Sequence, residues 1–283
     1  MKAAVLGKPI AHSMSPVLHR AAYEALGFAD WTYEQVECDS DGLAGYVESC
    51  GPEWVGLSLT MPLKRTVLPL LDHVDHLADA TGGANTVVFR PEGRYGYNTD
   101  VQGIVDALTE AGATALGSIT ILGAGATACS ALAAVGELGA AGADVVARDP
   151  SRAAALLTTA DRLGLKARLR LWSDFGKAPD RGRNHAVVPD LLISTVPVGA
   201  ADDYAERLRL THQAPPVVLD VVYHPWPSPL AQAAVAAGST VASGYAMLLH
   251  QAAAQVELMT GKPAPLEAMR QAGEQELARR TGR

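Results

Sequence analysis

The sequence predicts an α/β protein organised as two domains, each built on a parallel sheet flanked by helices. Short β-like apolar runs alternate with helical runs from end to end, and strands separated by helices assemble into parallel sheets. A length of 283 residues with 48% hydrophobic content suits roughly two modest cores. One small-residue segment, Gly123-Ala124-Gly125-Ala126-Thr127-Ala128, lies between an apolar strand and an Ala-rich helix, the context of a Rossmann dinucleotide turn.

The first strand is expected at residues 3–6. His12-Ser13-Met14-Ser15-Pro16 then leads into a helix whose apolar positions Leu18, Ala21, Ala22 and Ala25 share one face until Gly27 stops it. Ser15 before Pro16 reads as the N-cap, which leaves Ser13 without a capping duty. Two hydroxyls at the positive end of a helix suit a carboxylate ligand. Further strands are expected at 32–36 and 55–59. After the latter, Thr60-Met61-Pro62-Leu63-Lys64 forms a turn into a helix. Most lysines are solvated surface charges, but a lone lysine just past an apolar strand, in the first turn of a helix whose dipole opposes its charge, reads as a working amine. Gly96-Tyr97-Asn98-Thr99-Asp100 closes an extended segment before a helix over 101–111, with Thr99 and Gln102 at capping-box spacing. The first domain should span 1–101.

The second domain, 102–243, should carry strands at 119–122, 144–147, 191–194, 217–221 and 240–242, and a Gly-, Arg-, Asn- and Pro-containing loop over 177–189. Gly123, Gly125 and Ala128 permit a tight turn, close approach of backbone amides to a pyrophosphate, and close helix–strand contact. After the next strand comes Ala147-Arg148-Asp149. An arginine there clamps a 2′-phosphate, whereas an acid accepts from a free 2′-hydroxyl and repels phosphate. The sequence offers both, leaning to NADP and leaving NAD open. A long helix over 244–257 opens the 244–283 tail, which should pack back on the first domain, with a charged end at 274–283 expected to fray.

A formal charge of −7 argues against a nucleic-acid or anionic-membrane surface. Cys38, Cys50 and Cys129 form no C-x-x-C pair and read as free thiols in a reducing compartment. Neither a signal peptide, a bilayer-length apolar stretch nor a clustered set of metal ligands is evident. The expectation is a cytoplasmic monomer or homodimer with a small-molecule substrate and no metal.

Ser13-Met14-Ser15-Pro16, Thr60-Met61-Pro62-Leu63-Lys64, Gly83-Ala84-Asn85-Thr86, Asn98-Thr99-Asp100, the glycine loop, Asp220-Val221-Val222-Tyr223 with Pro225, and Gly244-Tyr245-Ala246-Met247-Leu248-Leu249-His250-Gln251 occur in this order. Together they make the chain resemble the shikimate dehydrogenase family over nearly its whole length. The resemblance implies an N-terminal α/β substrate domain, a Rossmann domain and a cleft between them. It also implies reversible reduction of 3-dehydroshikimate to shikimate with NADPH, in aromatic amino-acid biosynthesis. Lys64 and Asp100 would be the catalytic pair. Ser13 and Ser15 would hold the substrate carboxylate; Thr60, Asn85, Asp100 and Gln251 the ring hydroxyls. Tyr223 would line the substrate side, and Gly244 would begin the helix that delivers Gln251. The loop Gly123, Ala124, Gly125, Ala126, Thr127 and Ala128, with Arg148, Asp149 and Gly244, would hold the nucleotide.

The chain departs from the family's pattern at Ser58, usually Asn, at Ala126, often Gly, and at Ala147-Arg148-Asp149, usually Asn-Arg-Thr. The alternatives are a quinate or aminoshikimate dehydrogenase using NAD and, from another class, a non-catalytic dinucleotide sensor. Retention of Lys64, Asn85 and Asp100 together argues against the sensor.

Overall fold

The structure, a computed structural model, describes residues 1–113, 116–173 and 188–282; most of the loop expected over 177–189 lies outside them. The chain divides into one unit of Met1–Gly103 with Leu248–Arg283 and a second of Ile104–Met247.

The first unit opens with β1 (Lys2–Gly7), α1 (Ser15–Ala25), β2 (Thr32–Glu37), α2 (Leu43–Ser49), β3 (Trp54–Leu59) and α3 (Leu63–Thr66). It continues with β4 (His73–Val74), α4 (His76–Thr81), β5 (Thr86–Arg90), β6 (Gly93–Tyr97) and α5 (Thr99–Glu110), the last reaching into the second unit. The second unit holds β7 (Ile119–Leu122), α6 (Ala126–Glu137), β8 (Gly142–Ala147), α7 (Ala154–Leu163), β9 (Lys166–Leu171) and β10 (Leu191–Ser194). Then come α8 (Asp202–Thr211), β11 (Val217–Asp220), α9 (Pro229–Ala236) and β12 (Thr240–Ser243). Helix α10 (Gly244–Thr260) begins in this unit and ends in the first, where α11 (Leu266–Thr281) follows.

The first unit's sheet runs β2-β1-β3-β5-β6-β4. Strands β2, β1 and β3 pair in parallel as alternation predicts, but β5 is antiparallel to both β3 and β6. Only Pro91 and Glu92 separate β5 from β6, too few residues for the crossover that parallel pairing needs. Leu6, Leu43, Val47, Leu57, Leu59, Leu63 and Val67 form one buried cluster. On β3, a Cβ at Gly56 would lie 2.6 Å from the Val87 carbonyl and 2.8 Å from Met259 Cε. The missing side chain therefore lets α10 lie directly on β3 and β5.

The second sheet runs β12-β11-β10-β7-β8-β9, every pair parallel. Read from β9, this is the doubly wound order 3-2-1-4-5-6 of a Rossmann fold. Strands β7 and β10 are buried along their full length, hence their predominantly apolar sequence. β9 alternates charged and apolar residues at the sheet edge, with Arg168 paired to Asp144 on β8 at 2.8 and 2.7 Å. A search for apolar runs passes over such a strand. Among the described residues no helix is long and apolar enough to cross a membrane.

Candidate functional site

Lys64 sits on α3, which grows from the end of β3: the Thr60 amide continues the sheet by donating to Leu6 O at 2.9 Å, and Leu63 N then turns back to Thr60 O at 2.8 Å. Buried Leu63 anchors the turn. The expected dipole at Lys64 loses its basis, because Leu63–Thr66 is a single turn and its few aligned peptides sum to little. What faces the ammonium is a carboxylate: Lys64 Nζ donates to Asp100 Oδ2. The lysine side chain is 18% exposed and the aspartate 7%, so one face of the pair remains open to a ligand.

Asp100 lies in the first turn of α5, where an acid is favoured by the helix dipole. Its second oxygen accepts from Asn85 Nδ2 at 2.8 Å, and the same amide nitrogen donates to Gln251 Oε1 at 3.3 Å. The Asn85 amide can face only one way. Its Oδ1 accepts from the backbone amide of Thr99 at 2.8 Å, a group that can only donate, and from the hydroxyls of Thr86 at 2.8 Å and Thr99 at 3.1 Å. Asn85 thus satisfies a free amide at the start of α5, and the Thr99 hydroxyl is turned to Asn85. Lys64, Asn85, Asp100 and Gln251 are brought together by contact; Thr60 stands half-buried at the end of β3.

The carboxylate candidates differ in detail from expectation. Ser15 is the first residue of α1, and Met14 occupies the N-cap without a side-chain bond. Ser13 Oγ accepts from Ser15 N at 3.3 Å, so Ser13 carries the capping duty assigned to Ser15. The C-terminal segment expected to fray is helical through Thr281. Arg280 donates to the carbonyls of His12 at 2.8 Å and Ser13 at 3.5 Å, with its Nε on Glu276 at 2.7 Å. Arg279 and Arg280 together hold the Glu276 carboxyl well below its usual range, at about 2. The final helix thereby pins the loop that carries Ser13.

Sequence reasoning noted Ser58 only as a departure from the family's Asn, and did not find Gln255, one turn beyond Gln251, nor His19 beside it, nor Tyr33, which donates to Ser58. All are buried. A glutamine repeating at i+4 in a largely apolar helix was the available signal.

In the second unit, Gly123 has φ +110°, and a Cβ there would lie 2.4 Å from Thr195 Oγ1. Only glycine suits that turn. Gly125 is the N-cap of α6 with no side-chain bond to the helix amides, and a Cβ there would meet nothing within 4 Å. Gly125 and Ala126 are exposed, while Ala128 is fully buried. Ala124 and Thr127 are half-buried beside them. The first-turn amides are therefore open to an anion. Arg148 and Asp149 are both exposed beyond β8, but Asp149 Oδ1 accepts from Ser151 N at 2.9 Å and Ser151 Oγ at 2.7 Å, capping the 3-10 turn Pro150–Ala153.

Tyr223 is half-buried after β11 and belongs to this second unit. Its segment is tied down by buried Asp220, which accepts from Ser228 Oγ at 2.5 Å and Val222 N at 3.3 Å; burial raises the Asp220 carboxyl while the Ser228 bond opposes it. A Cβ at Gly244 would lie 2.1 Å from the Val221 carbonyl, so α10 can start against this segment only from a glycine.

The sheet order and the glycine loop define a Rossmann-class α/β protein whose other unit carries a lysine–carboxylate pair. Residues 5–87 match the shikimate dehydrogenase substrate binding domain, and residues 244–272 the shikimate 5′-dehydrogenase C-terminal domain. The chain is 36% identical to a shikimate dehydrogenase (NADP(+)) of Synechococcus sp. (strain JA-3-3Ab), covering 97% of this chain and 93% of that relative. Among solved structures, Mycobacterium tuberculosis shikimate dehydrogenase is 45% identical with a TM-score of 0.84, covering 97% of this chain and 99% of the other. Shikimate 5-dehydrogenase of Thermus thermophilus, solved with NADP(H) and shikimate, is 31% identical with a TM-score of 0.78, at 97% and 99% coverage. The chain belongs to the shikimate dehydrogenase family.

Proposed function

We propose that this protein catalyses the reversible NADPH-dependent reduction of 3-dehydroshikimate to shikimate, a step of aromatic amino-acid biosynthesis. The observation that carries the reading is the largely buried Lys64–Asp100–Asn85–Gln251 cluster, with Lys64 half-buried, in a chain of this family. The first unit with α10 and α11 is the substrate-binding domain, and the second is the dinucleotide domain. Free thiols at Cys38, Cys50 and Cys129 support a reducing, cytoplasmic setting.

The residues of the second unit fit NADP(H): Gly123 clears the turn, the uncapped amides of Ala126, Thr127 and Ala128 suit the pyrophosphate, and exposed Arg148 suits the 2′-phosphate. Ala124 and Gly125 line the same approach, and Gly244 sets the start of α10. When bound, the cofactor supplies the hydride. Lys64 Nζ gives its proton to the C3 oxygen as that oxygen gains negative charge, a contribution of about 10²–10⁴-fold. Asp100 holds the ammonium in place through one oxygen and takes the Asn85 amide on the other, so lysine and acid share one orientation. Asn85, Gln251, Thr60 and Asp100 bind ring hydroxyls and Ser13 and Ser15 the carboxylate; Tyr223 is a further substrate-lining residue.

The test is a kinetic matrix of shikimate and quinate against NADP⁺ and NAD⁺, followed by nicotinamide absorbance. The highest kcat/KM is expected for shikimate with NADP⁺. A quinate–NAD⁺ optimum would replace the substrate and cofactor assigned here. Lys64→Met should keep the fold and lower kcat by about 10²-fold or more; near-wild-type turnover would refute the role of the amine.

A further inference from the structure

We infer that Gln255, with Ser58 and Tyr33 behind it, is a positioning residue for the Asn85–Asp100–Lys64 constellation. The inference deepens the proposed dehydrogenase reading and rests on it. Gln255 is 1% exposed and all of its hydrogen-bonding capacity is used. Its Oε1 accepts from Ser58 Oγ at 2.7 Å and lies 3.2 Å from His19 Nε2. Its Nε2 donates to Thr86 Oγ1 at 2.9 Å and faces the Asn85 carbonyl at 3.4 Å. A main-chain carbonyl has no proton to give, so the amide cannot flip. Buried His19 is neutral, its imidazole pushed down to about 3 by desolvation. Its single N–H therefore points to Gln255, while Nδ1 faces the Tyr23 hydroxyl at 3.4 Å.

The proton order of the whole chain follows. Tyr33 O–H donates to Ser58 at 2.6 Å, and Ser58 O–H donates to Gln255. Thr86 Oγ1 accepts from Gln255 and donates to Asn85 Oδ1, adding to the Thr99 amide that already turns the Asn85 NH₂ to Asp100 and Gln251. Gln251, Gln255 and Met259 repeat at one-turn spacing along α10, and Met259 seats that face over Gly56. Gln255 thus sets the register in which α10 presents Gln251 to Asn85. None of Gln255, Ser58 and Tyr33 touches the Lys64–Asp100 pair directly. Gln255 and Ser58 act through Thr86 and Asn85, while Tyr33 also meets the Ser15 side chain.

The experiment compares wild type, Gln255→Met, Ser58→Ala and their double variant, with steady-state kinetics in both substrates and circular dichroism to establish folding. Gln255→Met keeps volume and removes every hydrogen bond. Its kcat should fall about tenfold or more, with the KM for NADP⁺ unchanged and that for shikimate within about threefold. Ser58→Ala should lose about two- to fivefold in kcat. The double variant should be no slower than Gln255→Met, because Ser58 acts through Gln255. Wild-type kcat in Gln255→Met, a loss confined to KM, or additive losses in the double variant would overturn the positioning role. Should Gln255→Met fail to fold, the kcat of Ser58→Ala decides in the same sense. A wild type inactive on shikimate overturns the proposed function and this inference together; an active wild type with an unimpaired Gln255→Met overturns the inference alone.

Discussion

Asp149 changes meaning once its neighbours are in view. In sequence it stands beside Arg148 as a negative charge that would repel a 2′-phosphate. In the fold its Oδ1 is committed to Ser151 N and Oγ, so the acid serves the turn while Arg148 stays exposed beyond β8. Arg148→Gln should therefore raise the KM for NADP⁺ about tenfold or more and leave that for NAD⁺ nearly unchanged, since a guanidinium–phosphate fork has no counterpart on a free ribose. Equal changes for both nucleotides would remove Arg148 from phosphate recognition. Ser13 shows the reverse shift. Read as free of structural duty, it caps Ser15 through its side chain and is gripped by Arg280 through its carbonyl.

Among the elements, the β7–α6 turn separates two reasons for glycine. Gly123 combines φ +110° with a Cβ position 2.4 Å from Thr195 Oγ1. Gly123→Ala should cost about 1–3 kcal/mol of stability and lower the thermal midpoint. Gly125 has φ −85° and open space where a Cβ would go. Gly125→Ala should leave the midpoint within about a degree while raising the KM for NADP⁺, because its methyl group occupies only the approach to the helix amides. A loss of stability at Gly125, or none at Gly123, would contradict this division. The elements that pattern reading passed over share a cause. β6 is a half-buried hairpin strand and β9 a charged edge strand held by Arg168 on Asp144, so neither carries a continuous apolar run.

On the scale of the molecule, His19 couples the first unit's core to pH. Its fully buried imidazole is lowered to about 3, mainly by desolvation and against the opposing Gln255 bond. The unfolded chain binds a proton below the ordinary histidine value of about 6.5, and the folded chain refuses it. Stability should then fall as pH drops from about 6.5 toward about 3, at up to about 1.4 kcal/mol per pH unit from this group. Chemical denaturation midpoints across that range should decline less steeply in His19→Gln than in wild type. Parallel slopes would mean that carboxylates common to both proteins account for the acid loss.

Much was legible in the order of residues because it depends on local periodicity and on motifs that keep their chemistry wherever they fold. The alternating elements, the strand–glycine–helix turn and the placement of Lys64 belong to that class, whereas Asn85, Asp100 and Gln251 were marked as site residues by the resemblance to the family. What only the tertiary structure decided is which polar groups meet. Asn85 and Gln251 are far apart in the chain yet share a hydrogen bond, and Gln255 joins Ser58, His19 and Thr86 across three elements. Burial removes water as a partner, so each donor there must find an acceptor in the fold. Which acceptor it finds is a property of packing and of main-chain carbonyls, and neither is written in the identity of the side chain.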